Sequence, residues 1–352
     1  MKVAREDVAR AKRVIVKIGS SSLASVNDAC ARIARDVAVL RASKKTVVIV
    51  SSGAIALGWQ KLGYKARPRE VKKLQASAAA GQSSLMRAYE EAFAPLGVPV
   101  AQVLLTHADL SDRTRANNAR DALGELLSAG AVPILNENDS VAVDEIKFGD
   151  NDQLAAMVAP LVGAELVVLL SDVAGVLDAR GQRVRSTADV AELVQLVNKG
   201  KSLAGTGGMA SKLEAARRAS LTGAHVVIAN AKDPDILASI ARGEDVGTHV
   251  HAAEVRMSAR KYWIAFTLRP RGDLVLDAGA VKAVRENRSL LAVGVLGARG
   301  DFREGDAVRL LDGTGKELGR GLARADSMSV SRDAGKATEV VVIHKDELVL
   351  DG

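Results

Sequence analysis

The first 267 residues repeat one rhythm: a short apolar run, a turn rich in Gly, Ser or Asn, then a helical stretch. Val14–Ile18, Thr46–Val50, Val98–Leu105, Val132–Leu135, Leu166–Leu170 and His225–Ala229 read as strands. Most of them are apolar on both faces, the pattern of strands covered by helices on each side of a parallel sheet. Ala-rich stretches such as Gln153–Leu161 and Lys212–Leu221 have helical character. Strands alternating with helices predict an α/β fold, an open and mostly parallel sheet sandwiched by helices and joined by crossover connections.

Near Leu268-Arg269-Pro270-Arg271-Gly272 the rhythm breaks. Short alternating runs follow, spaced by glycines: Asp273–Leu276, Leu291–Leu296, Ala307–Leu311, Glu317–Ala323 and Val340–Ile343. Regular short strands with Gly-rich turns predict a small β-barrel-like domain of roughly 80 residues. The expected division is 1–267 and 272–349, with the Pro/Gly-containing stretch Leu268–Asp273 as a linker.

Composition narrows the class. A chain of 352 residues suits two domains, and 48% hydrophobic with 26% charged residues fits a soluble globular enzyme. Aromatics at 3% argue against base-stacking platforms for single-stranded nucleic acid. The single cysteine, Cys30, excludes an internal disulfide framework. In the helical-looking Asp28–Leu40 it reads as a small buried hydrophobe rather than a nucleophile. No apolar run approaches membrane-spanning length, and Met1–Arg13 lacks the apolar core of a signal peptide, so a cytoplasmic location is expected. From Leu268 onward 14 Lys and Arg balance 14 Asp and Glu, placing the whole net charge of +7 in the first part. That balance does not favour RNA binding by the tail.

Familiar phosphate and metal signatures are missing: no GxxxxGK[ST], no GxGxxG after a strand, no protein-kinase motif set. His249 and His251 could share one side of a strand, but no third ligand is evident nearby, so a packing or surface role is favoured and no metal site is expected.

Four stretches instead carry unusual polarity at strand ends, where ligands of open α/β sheets collect. In Val16-Lys17-Ile18-Gly19-Ser20-Ser21-Ser22 a lysine ends a strand and small residues follow. A phosphate cradle with Lys17 as point charge and a snorkelling lysine before an ordinary turn explain this equally well. Ser51-Ser52-Gly53-Ala54 leads from a strand into a helix, either as an anion site or as plain N-capping. Asn136-Glu137-Asn138-Asp139 and Gly149-Asp150-Asn151-Asp152 flank a hairpin-like segment, Val141–Phe148. They hold six Asp/Asn and a Glu, more than two turns need. Carboxylates there could hold an ammonium group, and amides a carboxylate, which suits an amino-acid ligand. Finally, Gly205-Thr206-Gly207-Gly208-Met209-Ala210-Ser211-Lys212 precedes a helix. Ser211 and Glu214 form an S-x-x-E pattern that places the helix start at Ser211. Lys212 would then stand in the first turn, against the dipole, which bound phosphate would explain.

Taken in order, Lys17-Ile18-Gly19-Ser20-Ser21, Ser52-Gly53-Ala54, the NEND and GDND blocks and Gly205–Lys212 resemble the amino acid kinase family, in its branch that phosphorylates glutamate. The run Gly247-Thr248 to His251 is also similar, and the C-terminal region resembles a PUA domain. The resemblance implies a kinase domain over 1–267 and a PUA domain over 272–349. It implies ATP-dependent phosphorylation of the γ-carboxylate of L-glutamate to γ-glutamyl phosphate, the first step of proline biosynthesis, with Mg²⁺. Lys17 and Lys212 would hold the transferring phosphoryl group and Asp152 would orient both. Ser52, Asp139 and Asn151 would bind glutamate. Lys17, Ser171, Asp172, Thr206, Gly207, Gly208, Met209, Ala210, Ser211 and Lys212 would bind ATP. Homo-oligomerisation and feedback inhibition by proline belong to the same expectation. Ser51 and Ser171 stand where threonine is more usual, and both keep a hydroxyl. Rival readings are an RNA-binding protein and a sibling kinase acting on acetylglutamate, aspartate, carbamate or a nucleoside monophosphate.

Overall fold

The computed structural model describes residues 5–19, 26–142, 151–199, 206–336 and 338–350. Ser20–Ser22, Gly149, Asp150, Gly205 and most of the hairpin-like segment Val141–Phe148 therefore lie outside the described residues. Within the described chain no helix is long and apolar enough to cross a membrane. The chain divides into two compact units, Met1–Arg256 and Met257–Gly352.

In the first unit β1 (Arg13–Ile18), β2 (Thr46–Ser51), β3 (Val100–Leu105), β4 (Val132–Glu137), β5 (Leu166–Ser171), β6 (Ser186–Thr187), β7 (His225–Asn230) and β8 (Thr248–Val250) build one sheet. Its order is β3-β4-β2-β1-β5-β7-β8-β6. The neighbours from β3 across to β7 are parallel, whereas β8 runs antiparallel to β7 and parallel to β6. Because alternate residues of a strand face opposite sides, Val14, Val16 and Ile18 enter one core layer with Val37, Tyr89 and Phe93. Ile15 enters the other, with Leu154, Val158, Leu213 and Ala216. Lys17 shares the face of Ile15, beneath the helices Asn151–Val162 and Thr206–Leu221. The chain leaves β1 toward one layer and reaches β5 from the other, so the end of β1 is the switch point at which an open α/β sheet leaves a crevice.

Two glycines set one wall of that crevice. The short helix Ala54–Gly58 lies against Val71–Phe93 backbone to backbone. A Cβ on Gly58 would come within 1.8 Å of the Ser77 carbonyl oxygen, and one on Gly81 within 1.8 Å of that of Ala54. Neither neighbour is a flexible side chain. Gly81→Ala is therefore expected to destabilise the fold by about 3 kcal/mol, the upper end for overpacking. Urea unfolding checks this; an unchanged midpoint would mean the helices separate freely.

The division between units falls at Arg256, earlier than the break in the sequence rhythm at Leu268. The reason is packing: Ile264 and Ala265 share a cluster with Ala307, Leu322 and Val349, and Arg320 donates to the Ala265 carbonyl. The second unit holds β9 (Gly272–Leu276), β10 (Leu290–Leu291), β11 (Val295–Gly300), β12 (Ala307–Leu311), β13 (Glu317–Leu322), β14 (Val341–Ile343) and β15 (Leu348–Leu350). Five form a sheet ordered β11-β9-β12-β13-β15, and β10 pairs with β14. The stretch Leu291–Leu296, read as one strand, is split by a helical turn at Ala292–Gly294, where Gly294 packs against Ala280. Helices Ala278–Arg285 and Ser327–Asp333, each capped by an aspartate side chain, also escape the sequence reading.

Candidate active site

Asn151 and Asp152 open a helix whose next residues, Leu154–Ala159, are buried apolar side chains. That helix is fixed by its core face, so its two polar leading residues are carried into the crevice, 5% and 4% exposed. Asp152 meets both lysines: Lys17 Nζ lies 2.8 Å from Oδ1 and Lys212 Nζ 3.2 Å from Oδ2. One carboxylate thus holds two ammonium groups brought from a central strand and from a separate helix. Two cations that would repel each other are kept together by the shared anion. Such an arrangement suits a polyanion, which can take over the charge compensation.

Asn151 faces a different set of groups. Its Nδ2 lies within hydrogen-bond reach of Ser52 Oγ (2.8 Å), Asn136 Oδ1 (2.9 Å) and the Ser51 carbonyl (3.2 Å). Asn136 donates to Gln82, which donates to Gln102, so the amide chain runs back into the scaffold. Tyr89 donates its hydroxyl proton to Ser51 Oγ at 2.9 Å. The serines are therefore engaged by side chains, and the helix Ala54–Gly58 has Gly53 at its N-cap with no side-chain cap. Plain capping does not account for them.

Ser52, Gly53, Ala54, Ile55, Ala56, Arg67, Asn136, Glu137, Asp139 and Asn151 line a pocket beside this network. Burial pushes the Asp139 carboxyl up to about 6, because its charged form loses solvation. Arg67 and Glu137 were not among the binding residues expected from sequence. Arg67 is an exposed side chain of a loop rich in basic residues, with nothing local to mark it.

Ser171 ends β5, the strand paired with β1, and its hydroxyl donates to Asp172 at 3.2 Å. Ser171 is buried and Asp172 exposed. Thr206, Gly207, Gly208, Met209, Ala210 and Ser211 form the first turns of the helix that carries Lys212. The Thr206 side chain and the surroundings of Gly207 lie outside the described part, while Met209 packs against the core. This corrects the expected start at Ser211: the helix begins at Thr206, and Lys212 stands in its second turn. The Ser211–Glu214 capping pattern is unused because Glu214 pairs with Arg217 and Arg218. Position against the helix dipole is therefore no reason for Lys212; its reason is Asp152. Gln153 Nε2 donates to the Ser211 carbonyl and ties the two helices together beside that pair.

Cys30 is fully buried, and its thiol is pushed up to about 12 by desolvation, so it is no nucleophile.

A switch-point crevice holding a lysine–aspartate–lysine set beside an amide-lined pocket defines a class, and comparison with known proteins agrees. The amino acid kinase family matches residues 12–230 and the PUA domain matches 272–347. The chain belongs to the amino acid kinase family. It is 43% identical to a protein named glutamate 5-kinase from Burkholderia mallei (strain SAVP1), over 98% of this chain and all of that one. A glutamate 5-kinase from Cupriavidus metallidurans is also 43% identical, over 97% of this chain and 99% of the relative. Among solved structures, carbamate kinase of Giardia shares the fold, with a TM-score of 0.51 at 14% identity, covering 69% of this chain and 99% of that one.

Proposed function

We propose that this chain transfers the γ-phosphoryl group of ATP to the γ-carboxylate of L-glutamate, giving γ-glutamyl phosphate and ADP, in the cytoplasm and as the first step of proline biosynthesis. One observation carries the reading: adjacent residues Asn151 and Asp152 join an amide-lined pocket to a pair of lysines gathered on one carboxylate. An acceptor in the pocket and a phosphate chain at the lysines would meet at that helix start.

The γ-carboxylate of glutamate has an ordinary pKa near 4.3 and is ionised at neutral pH. No general base is needed. A carboxylate oxygen forms the new bond to the γ-phosphorus while the bond to the bridging oxygen breaks, and its electron pair leaves with ADP. Catalysis then rests on alignment and charge neutralisation. Lys17 and Lys212 supply the positive charge, and Asp152 holds them together and aims them. Ser171 and Asp172, at the end of the neighbouring strand, and the turns Thr206–Ser211 are assigned to the nucleotide. Among the described residues no group of carboxylates gathers at this end of the sheet as a metal cage. Mg²⁺ would enter with the nucleotide and neutralise oxygen charge there.

Asp139, half-buried and without a charge partner among the described residues, suits the ammonium group of a free amino acid, with Ser52 and Asn151 beside it. N-acetylglutamate and carbamate have no such ammonium. The acceptor test is hydroxylamine trapping of the acyl phosphate with glutamate, N-acetylglutamate, aspartate and carbamate in parallel. Glutamate should give most hydroxamate; a larger yield from another acceptor would overturn the assignment.

Asp139 also sets a pH limb. Its carboxyl is raised to about 6, so the anion that attracts an ammonium group is present above that pH and lost below it. kcat/KM for glutamate should fall about tenfold per pH unit below 6. Asp139→Asn should lower kcat/KM at neutral pH and remove that limb. The same limb persisting in Asp139→Asn would assign it to another group.

A further inference from the structure

At the start of β7, the opposite end of the parallel strands from the crevice, stands a cluster that phosphoryl transfer does not use. β7 begins at His225, and β8 pairs antiparallel with it in the register Val226↔Val250 and Val227↔His249. Continued by one residue, that register sets His225 across from His251. With the alternation of side chains along a strand, His225, His249 and His251 share one face. The third histidine that the sequence did not offer thus comes from a strand 24 residues earlier than His249.

The rings converge. His225 Nδ1 lies 3.0 Å from His249 Nε2, and one ring nitrogen from each of the three lies within 4.8 Å of the others. Ring centroids are 4.3 Å apart for His249 and His251 and 5.1 Å for His225 and His249. The Ala252 backbone N–H reaches His225 Nδ1 at 3.3 Å, a long hydrogen bond whose lone pair a metal ion would take over. His249 is 2% exposed, whereas His225 and His251 are half-buried and leave one side open. We propose that His225, His249 and His251 form a binding site for a single divalent transition-metal ion of the Zn²⁺ class.

Imidazole nitrogens bind Zn²⁺ at about 2.0–2.1 Å in tetrahedral geometry, which needs ligand atoms about 3.3 Å apart. The observed spacing reaches that by small side-chain rotation. Three neutral nitrogens select Zn²⁺, Co²⁺, Ni²⁺ or Cu²⁺ over Mg²⁺ and Ca²⁺, which prefer oxygen. Arg5 lies near His249 and would oppose a bound cation were it unpaired. Arg5 is itself neutralised by Asp245 at 2.9 Å, and Asp7 offers a negative charge near His225, offsetting Arg256. The open side leaves room for water or the Asp7 carboxylate as fourth ligand. An ion here would clamp β7 to β8, whose Thr248 hydroxyl accepts from the Val176 N–H and donates to the Val184 carbonyl. Its role is bracing the sheet edge, separate from phosphoryl transfer.

The full-length chain, stripped with chelator and dialysed, is titrated with Zn²⁺ in the presence of millimolar Mg²⁺, and bound metal is measured by equilibrium dialysis. One equivalent should bind, Co²⁺ should give the visible absorption of a four- or five-coordinate site, and Zn²⁺ should raise Tm. His251→Gln and His225→Gln should each weaken Zn²⁺ binding by about tenfold or more and abolish the rise in Tm, while His344→Ala should leave both intact. Zinc-free His251→Gln should melt as zinc-free wild type does, which shows that it folds. Failure of the wild type to bind at micromolar Zn²⁺, or equal binding after both substitutions, would overturn the proposal.

Discussion

Lys17→Ala and Lys212→Ala are each expected to lower kcat for ATP-dependent phosphorylation of glutamate by about 10²–10³, the cost of one well-placed electrostatic group. The expectation follows from where the charges stand. Both ammonium groups lie on Asp152, at 2.8 and 3.2 Å, and no described acceptor other than that carboxylate competes for Lys17. On the proposed function they await charge that arrives with the substrate and grows as the phosphoryl group moves. KM for glutamate should change much less, because the pocket contacts of Asn151 run to Ser52 and Asn136 instead. Lys17→Arg should rescue little: the side chain is 7% exposed, and a planar fork does not replace a compact ammonium in that space. The double variant should lose less than the product of the single losses, since both act on one group. Steady-state kinetics decide it. Near-normal kcat in both single variants would remove the lysines from the chemistry.

Much of the fold was legible because parallel strands buried on both faces must be apolar throughout. All six strands read from the first part are present, with ends shifted by one or two residues. β6 and β8 are two and three residues long and include Ser186, Thr187, Thr248 and His249, so their strand character comes from pairing rather than from their own side chains. The helix carrying Lys212 shows the limit of a local rule. A capping pattern at Ser211 is real in sequence, but the helix continues back to Thr206, and Glu214 is satisfied by two arginines. In the second unit β9, β12, β13 and β14 were readable from alternation, whereas Leu291–Leu296 is broken by a helical turn and β15 was not read. The segment that completes that unit's core, Ile264 and Ala265, was not read either, because it lies before the break in rhythm.

The site was legible where its residues come as contiguous motifs at strand ends. Lys17 stands near the end of a strand, Ser52 follows one, and Asn151 and Asp152 open a helix, where local sequence fixes position. Residues that join from mid-element or loop positions leave no such trace. Gln82, in the middle of a long helix, receives the Asn136 amide and looks in sequence like any polar helix residue. Arg67 is one basic residue among Lys65, Arg69, Lys72 and Lys73. His225 was read only as the start of a strand, and its chemistry depends on which residue the antiparallel neighbour sets across from it.

The residue joining these parts is Asp152, and its neutral isostere gives the other large expected effect. Asp152→Asn keeps the shape of the helix start but leaves Lys17 and Lys212 close together with no anion between them. Removing one partner of a buried ion pair costs about 3–5 kcal/mol, because the other charge is left uncompensated. Lys17 at 7% side-chain exposure meets that condition, whereas Lys212 at 13% can turn toward solvent more easily. The variant should therefore unfold at clearly lower denaturant than the wild type when no nucleotide is present. A merely structural aspartate would give the same loss, but ATP distinguishes the two roles. If the lysines await phosphate, MgATP supplies the missing negative charge and should raise Tm more in Asp152→Asn than in the wild type. kcat should still fall, because the lysines are no longer aimed by a fixed carboxylate. Denaturation with and without MgATP, alongside turnover, tests both halves. A variant destabilised equally with and without nucleotide would make Asp152 a packing residue. Full activity would mean that the lysines need no orienting group.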